Sequence, residues 1–366
     1  MGIKIAVLDA STLGGDLSLK PLEEIGTADI YPSLCGDELV RVLKTAEAVI
    51  VNKIKLNETN LKYAENLKLI CVAATGYDNI DVEYCRKRGI GVCNAVGYSS
   101  DSVAQLTLAI ALNLYTNIPQ FTEFVRSGEY TKSGVANRLT PVYHEISGKT
   151  WGILGFGNIG RRTARAAEAL GCKIIVCARS EKQGYENVDT DELCRRSDIL
   201  SVHTPLTDET YHIINRERLK LMKRTAILIN VARGAVTDEK ALAEAVKNGE
   251  IGGIGVDVYD GEPLGETNPL YEIKGYDNVC LTPHMAWGAY EARVRCLNEM
   301  IENIKSFNPD TQIGFDSYDS ILVLPMREII FNENNIQNFK QNYRNSFGIP
   351  KDDDYLYQNI SKKILY

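Results

Sequence analysis

The sequence predicts an α/β protein with two doubly wound parallel-sheet domains. Three observations predict it. Short apolar runs alternate with helical patterns from residue 3 to 94, and the alternation restarts at 150. A glycine fingerprint, Gly155, Gly157 and Gly160 in TWGILGFGNIG, sits at the first turn of the second series and not at the start of the chain. Roughly 150 residues precede it, enough for a separate domain.

The elements follow in order. Residues 3–8 are a short apolar run of the kind that forms a buried parallel strand. Residues 17–25 have helical spacing. Further strands are expected at 28–31, 48–51, 67–73 and 91–94, with helices at 37–46, 57–65 and 81–88, the last stopped by Gly89. A long helix follows, with Ser102 and Gln105 as a capping box and Pro119 as its end. Its apolar residues leave no polar face, so it is expected to be buried as the link between domains. Residues 120–147 read as a loop-rich arm. In the second series strands are expected at 151–154, 173–177, 198–202, 226–230, 252–257 and 278–281. Helices are expected at 158–170, 190–196, 215–222, 238–248 and 289–306. After Phe307 alanine disappears and Asn, Tyr, Lys and Asp dominate. Residues 308–366 therefore read as an atypical, poorly packed tail, mobile beyond about 325 and dispensable for activity.

Composition excludes several classes. A hydrophobic content of 44% and a charged content of 24% are those of a globular protein. A net charge of -7 argues against nucleic-acid binding, which needs a basic face. The longest apolar stretch, 103–115, is too short to span a membrane. No secretory leader opens the chain, and the nine cysteines contain no C-x-x-C pair, so reduced thiols and a cytoplasmic location are expected. No His/Cys/Asp cluster has metal-ligand spacing.

The fingerprint is the dinucleotide-binding turn. Its first glycine makes the tight turn, its second lets the backbone approach a pyrophosphate, and its third lets helix and strand pack closely. The helix start offers N–H groups to the phosphates. Behind it, three blocks follow in order: NVARG at 230–234, DVYDGEPL at 257–264 and TPHMAWG at 282–288. They resemble the signature blocks of the D-isomer-specific 2-hydroxyacid dehydrogenases. The resemblance covers about residues 3–306. VAATGYDNID, ending at 81, and GYSSDSVAQ at 97–105 are most similar to the glycerate dehydrogenase and hydroxypyruvate reductase branch.

The resemblance implies a flavodoxin-like substrate domain, 1–99 plus 287–307, and a Rossmann cofactor domain, 100–286, with substrate bound in a cleft between them. It implies reduction of a small 2-keto acid, hydroxypyruvate or glyoxylate or a similar one, with NAD(P)H. It implies that the catalytic residues are Arg233, Glu262 and His284. An arginine in a loop is most often just exposed, yet its planar fork can grip a carboxylate and polarise the adjacent ketone. Histidine titrates near neutrality and can give the ketone its proton. A glutamate on the second imidazole nitrogen favours the imidazolium form.

The other positions carry over as follows. Asn158 and Ile159 lie beside the pyrophosphate. Thr204, Pro205 and Thr210 line the loop next to the cofactor. Val231 and Ala232 touch the nicotinamide side, and Asp257 holds its carboxamide. Thr75, Gly76 and Tyr77 offer N–H groups to the substrate carboxylate, with Asn52 and Lys53 on a facing loop. His144, His203 and His212 read as structural or surface residues. A phosphoglycerate dehydrogenase-like enzyme is the alternative. A cofactor-sensing corepressor is the rival of another class, and the acidic charge speaks against it.

One departure bears on the cofactor. NAD-specific members place an acid at the end of the second strand. Here KIIVCARS puts Ala178 there, then Arg179 and Ser180, which attract a 2′-phosphate. NADP is favoured; Glu181 keeps NAD as the alternative. The apolar helix and the arm predict a two-fold homodimer.

Overall fold

The computed structural model describes residues 2–307 and 321–323. These residues form two compact units, one from residues 2–96 and 296–307 with 321–323, the other from Gly97–Arg295.

In the first unit β1 (Ile3–Val7), β2 (Gly26–Ile30), β3 (Ala48–Val51), β4 (Leu69–Val72) and β5 (Gly91–Asn94) are parallel, in the order β2-β1-β3-β4-β5. The order reverses beside β1, as in doubly wound sheets of the flavodoxin type. The strands AVIV, LICV and GVCN are buried at every position, because helices cover both faces of a parallel sheet. Asp81 caps the helix Val82–Arg88 by accepting the Tyr84 N–H at 2.9 Å, and Gly89 ends it at φ 69. Residues 17–25 do not form an α-helix. They give only a 3-10 turn, Lys20–Glu24, with a proline in its first turn, because the stretch is too short to repay a nucleus.

Ile321–Val323 add an antiparallel edge strand to β5. This short run falls in the stretch read as a poorly packed tail. The other residues of 308–366, with the expected mobility beyond 325, lie outside the described residues.

The second unit holds β6 (Thr150–Leu154), β7 (Lys173–Cys177), β8 (Glu186–Asn187), β9 (Ile199–Val202), β10 (Ile227–Asn230), β11 (Gly253–Val256) and β12 (Val279–Leu281). All pair in parallel, in the order β12-β11-β10-β9-β6-β7-β8. The two-residue β8 leaves no periodic signal, and the sequence reading has no strand there. Trp151 is fully buried, and its indole N–H donates to Ser201 Oγ at 2.9 Å. Left unpaired, that donor would cost roughly 1–3 kcal/mol.

The helix Ser100–Thr116 packs on this second sheet: a Cβ added to Gly255 would meet Ile110 Cγ2 at 2.1 Å. Its start corrects the expected capping box. Ser102 lies inside the helix, where its Oγ donates to Ala286 O at 2.5 Å and accepts the Ala289 N–H at 3.2 Å. Pro119 does not simply end a pattern. It starts the next helix, Ile118–Arg126, where its missing N–H costs nothing. The arm therefore contains two short helices, the second being Glu129–Ser133.

The sequence reading puts the unit boundaries at 99 and 287. The compact units divide at Val96 and Cys296, inside the helix Tyr290–Ser306. Arg295 near its start donates to Tyr98 O at 2.8 Å in the second unit, while Asn303 near its end donates to Asn94 O at 3.5 Å in the first. Among the described residues no helix is long and apolar enough to cross a membrane, and no group of His, Cys, Asp or Glu is placed to hold a metal ion.

Candidate active site

The three fingerprint glycines have three different geometries. Gly155 turns at φ 91, and a Cβ there would meet the backbone of His203 and Thr204 at 2.7 Å. Gly157 faces open space at the start of the helix Asn158–Ala169. Gly160 packs against the turn, with Gly155 O 2.3 Å from where a Cβ would sit. A tight turn, an open approach to helix N–H groups and a close helix–strand contact are what a dinucleotide pyrophosphate requires. Asn158 is exposed and Ile159 half-buried at this helix start.

The order of the strands arranges the rest. At the carboxyl ends, from β12 across to β7, stand in turn His284, then Asp257 and Glu262, Arg233, Thr204 and Pro205, the fingerprint, and Arg179 and Ser180. Each step along the sheet is about 4.8 Å. These expected catalytic and cofactor positions thus follow the carboxyl ends of neighbouring strands in one sheet.

His284 and Glu262 come together. Glu262 Oε2 lies 2.6 Å from His284 Nδ1, and both side chains are partly exposed. Glu262 Oε1 accepts the Tyr259 N–H at 3.2 Å, which aims the carboxylate. His284 has φ 52, a left-handed conformation that costs about 1–2 kcal/mol for a residue with a Cβ. Its loop is held down to pay for that strain. The Asp257 carboxylate, fully buried, accepts from Thr282 Oγ1 at 2.6 Å and from the N–H groups of Met285 and Ala286, both at 2.9 Å. Trp287 Nε1 donates to His284 O at 3.1 Å. Asp257, expected at the nicotinamide carboxamide, is in the structure the anchor of the histidine loop.

Arg233 follows β10, with extended backbone and Nη1 donating to Ala232 O at 2.8 Å. Fully buried Asn230 folds its loop: Oδ1 accepts the Ala232 N–H at 3.0 Å and Nδ2 donates to Arg233 O at 2.9 Å. Gly234 lets this loop touch the next one, since a Cβ there would lie 2.0 Å from Tyr259 C and 2.1 Å from Asp260 N. Asn230 and Gly234 stand inside NVARG, but the sequence reading gave neither a role, because both act through backbone groups of other segments. Val231 is buried and Ala232 half-buried. Thr210 spends its hydroxyl within its own loop, donating to Pro205 O at 2.6 Å and accepting the Thr207 N–H at 2.7 Å.

His203 is set apart from this chemistry. Its Nε2 lies 3.0 Å from Ser201 Oγ, and burial pushes its pKa down to about 3, so its ring stays neutral. His144 is exposed and His212 half-buried, stacked on Tyr211.

Asn52, Thr75, Gly76 and Tyr77 belong to the first unit, as does Lys53. The buried Asp9 carboxylate accepts the N–H groups of Asn52 at 2.9 Å, Lys53 at 2.6 Å and Ile54 at 3.1 Å, so it shapes that loop. Asn52 Nδ2 donates to Thr12 Oγ1 at 2.9 Å. Thr75 is fixed through Oγ1 to Ala95 O at 2.9 Å, and its carbonyl accepts Asn94 Nδ2 at 2.7 Å. Tyr77 is exposed, and its carbonyl accepts the Ile80 N–H at 2.9 Å.

Comparison with known proteins agrees with this geometry. Residues 108–286 match the family model described as D-isomer specific 2-hydroxyacid dehydrogenase, NAD binding domain. The chain is 41% identical over 277 residues to a glyoxylate reductase of Thermococcus litoralis, covering 74% of this chain and 82% of that one. It is 40% identical over 296 residues to a D-3-phosphoglycerate dehydrogenase of Methanocaldococcus jannaschii, covering 79% of this chain but only 55% of that longer one. Among solved structures it is similar to D-lactate dehydrogenase from Aquifex aeolicus, complexed with NAD and lactic acid, at a TM-score of 0.73 and 30% identity, covering 82% of this chain and 96% of that one. With the glycine turn, the ordered sheet edge and the Glu262–His284 pair, these likenesses establish that the chain belongs to the D-isomer-specific 2-hydroxyacid dehydrogenase family.

Proposed function

We propose that this chain reduces a small 2-keto acid, glyoxylate or hydroxypyruvate, to the corresponding D-2-hydroxy acid with a reduced nicotinamide dinucleotide. The carrying observation is the 2.6 Å contact between Glu262 Oε2 and His284 Nδ1, one strand away from Arg233. The glycine turn, with Asn158 and Ile159, would hold the pyrophosphate, and Thr204, Pro205, Thr210, Val231, Ala232 and Asp257 the nicotinamide half. When bound, the dinucleotide supplies the hydride. Arg233 anchors the substrate carboxylate and polarises the ketone. Thr75, Gly76, Tyr77 and Asn52 assist the carboxylate. His284 gives a proton from Nε2 to the ketone oxygen, while Glu262 on Nδ1 fixes the tautomer and balances the charge. The hydride and this proton together complete the alcohol.

NADP is the favoured cofactor. Arg179 and Ser180 are exposed just past β7, and Lys182 Nζ donates to Ser180 Oγ at 2.6 Å, adding a second cation the sequence reading did not use. Two cations and a hydroxyl suit a 2′-phosphate; Ala178 adds no repulsion. A panel of 2-keto acids, including 3-phosphohydroxypyruvate, assayed with NADPH and NADH tests both readings. The expected result is turnover of glyoxylate or hydroxypyruvate with higher kcat/KM for NADPH, shifted toward NADH by Ala178→Asp. No turnover of any 2-keto acid overturns the function, and a parent that prefers NADH overturns the cofactor choice.

The working form is read as a two-fold homodimer in the cytoplasm. The helix Ile118–Arg126 buries none of its residues, and Val135, Leu139 and Val142 are exposed on the same arm, Leu139 and Val142 at 71% each. Exposed apolar side chains gathered on one arm are best covered by a second copy. All nine cysteines are free, which suits a reducing compartment. Light scattering at micromolar concentration should give twice the chain mass; a monomer would contradict the dimer.

A further inference from the structure

We propose that Glu239 is a positioning residue for the active site, its buried carboxylate fixing the Tyr259–Asp260 segment on which the loops of Glu262, His284 and Arg233 rest. The inference builds on the dehydrogenase reading above, which assigns Glu239 nothing.

Glu239 opens the helix Glu239–Lys247 and is only 7% exposed. Its Oε1 accepts the Asp260 N–H at 2.8 Å, and its Oε2 accepts Asn268 Nδ2 at 2.6 Å. The two bonds bracket the segment that carries Glu262. Tyr259 and the peptide that follows it meet all three catalytic loops. The Tyr259 N–H donates to Glu262 Oε1 at 3.2 Å. Tyr259 Oη donates to Thr282 O at 2.9 Å, two residues before His284. Burial pushes the Tyr259 hydroxyl up to about 12, so it stays a donor. Gly234, next to Arg233, lies against the same peptide, leaving no room for a Cβ.

A buried carboxylate is costly to keep. Burial pushes the Glu239 carboxyl above its ordinary range, against the pull of its two donors. Such a group is retained where it specifies one arrangement, and removing it leaves the Asp260 N–H and the Asn268 amide without their acceptor. Its role is geometric, because nothing places it on the substrate. A displacement of about 1 Å in a catalytic group can cost 10²-fold in rate.

The test uses paired variants of the full chain. Glu239→Ala should lower kcat about 10- to 100-fold, with NADPH affinity changed no more than about two-fold. Glu239→Gln keeps an acceptor for Asp260 but sets one amide NH2 against that of Asn268. Adding Asn268→Asp restores a donor–acceptor pair, and Asp still caps the Leu270 N–H that Asn268 Oδ1 accepts at 2.9 Å. The Glu239→Gln, Asn268→Asp double variant should therefore recover most of the kcat lost in Glu239→Gln. Crystal structures of the parent and Glu239→Gln give a readout independent of turnover: the Glu262–His284 contact should open in the single variant and close again in the double. Parent-like kcat and an unchanged contact in Glu239→Gln overturn the proposal, as does a double variant that regains thermal stability without kcat. If Glu239→Ala does not fold, the Gln and double variants decide. An inactive parent would count against the dehydrogenase reading alone, while the contact still tests Glu239.

Discussion

His284→Ala is expected to lower kcat by about 10² to 10⁴ while leaving cofactor affinity nearly unchanged, the effect of losing a general acid. The structure explains why the loss should be confined to chemistry. The loop carrying His284 is held by groups other than the imidazole: the Asp257 carboxylate binds the N–H groups of Met285 and Ala286, and the Trp287 indole binds the His284 carbonyl. None of these bonds uses the ring. The backbone strain at φ 52 is similar for Ala and His, since both carry a Cβ, so the substitution adds no new backbone conflict. Removing the ring leaves Glu262 still oriented by the Tyr259 N–H at 3.2 Å, with its side chain partly exposed to water. Steady-state turnover with the best 2-keto acid, beside NADPH titration by fluorescence, checks the split. Near-normal turnover would remove His284 from the mechanism.

How far the sequence shows this site depends on the distance over which each residue acts. The strands AVIV and LICV are legible because parallel strands buried on both faces must be continuously apolar. The fingerprint is legible because all three constraints act within six residues. Arg233, Glu262 and His284 are read from blocks that resemble a family, and the sheet order then explains why three distant blocks meet. The residues the sequence hides are those that hold backbone groups elsewhere. Ser102 bonds Ala286, 184 positions away, and Glu239 bonds Asp260, 21 away, and nothing local to either marks it out. Ser102 looks like a cap and Glu239 like any acid in a first helical turn. The arm helices are missed for another reason. Ile118–Arg126 buries nothing in this chain, so its pattern has no core to point to.

Arg233→Lys is expected to raise KM for the keto acid and lower kcat together, with kcat/KM down roughly 10- to 100-fold, the size of one lost charge-assisted hydrogen bond. The charge is kept, so attraction of the anion at a distance survives. What disappears is the fork. In Arg233 one arm, Nη1, donates to Ala232 O at 2.8 Å, which fixes the plane of the guanidinium relative to the loop. A lysine ammonium is a point charge on a flexible stem. It can meet the Ala232 carbonyl or a substrate oxygen, but cannot present two parallel N–H groups in a fixed plane. The loop itself should not change, because Asn230 holds the Arg233 carbonyl at 2.9 Å and Gly234 keeps its contact with the next loop. Two comparisons separate anchoring from a general loss of activity. Arg233→Ala, which also loses the charge, should be worse than Arg233→Lys. A ketone lacking the carboxylate should be a poor substrate for the parent and lose less in Arg233→Lys than glyoxylate does, since it never used the bidentate grip. If Arg233→Lys matches the parent on every keto acid, the carboxylate is held elsewhere, and the N–H groups of Thr75, Gly76 and Tyr77 become the anchor to test.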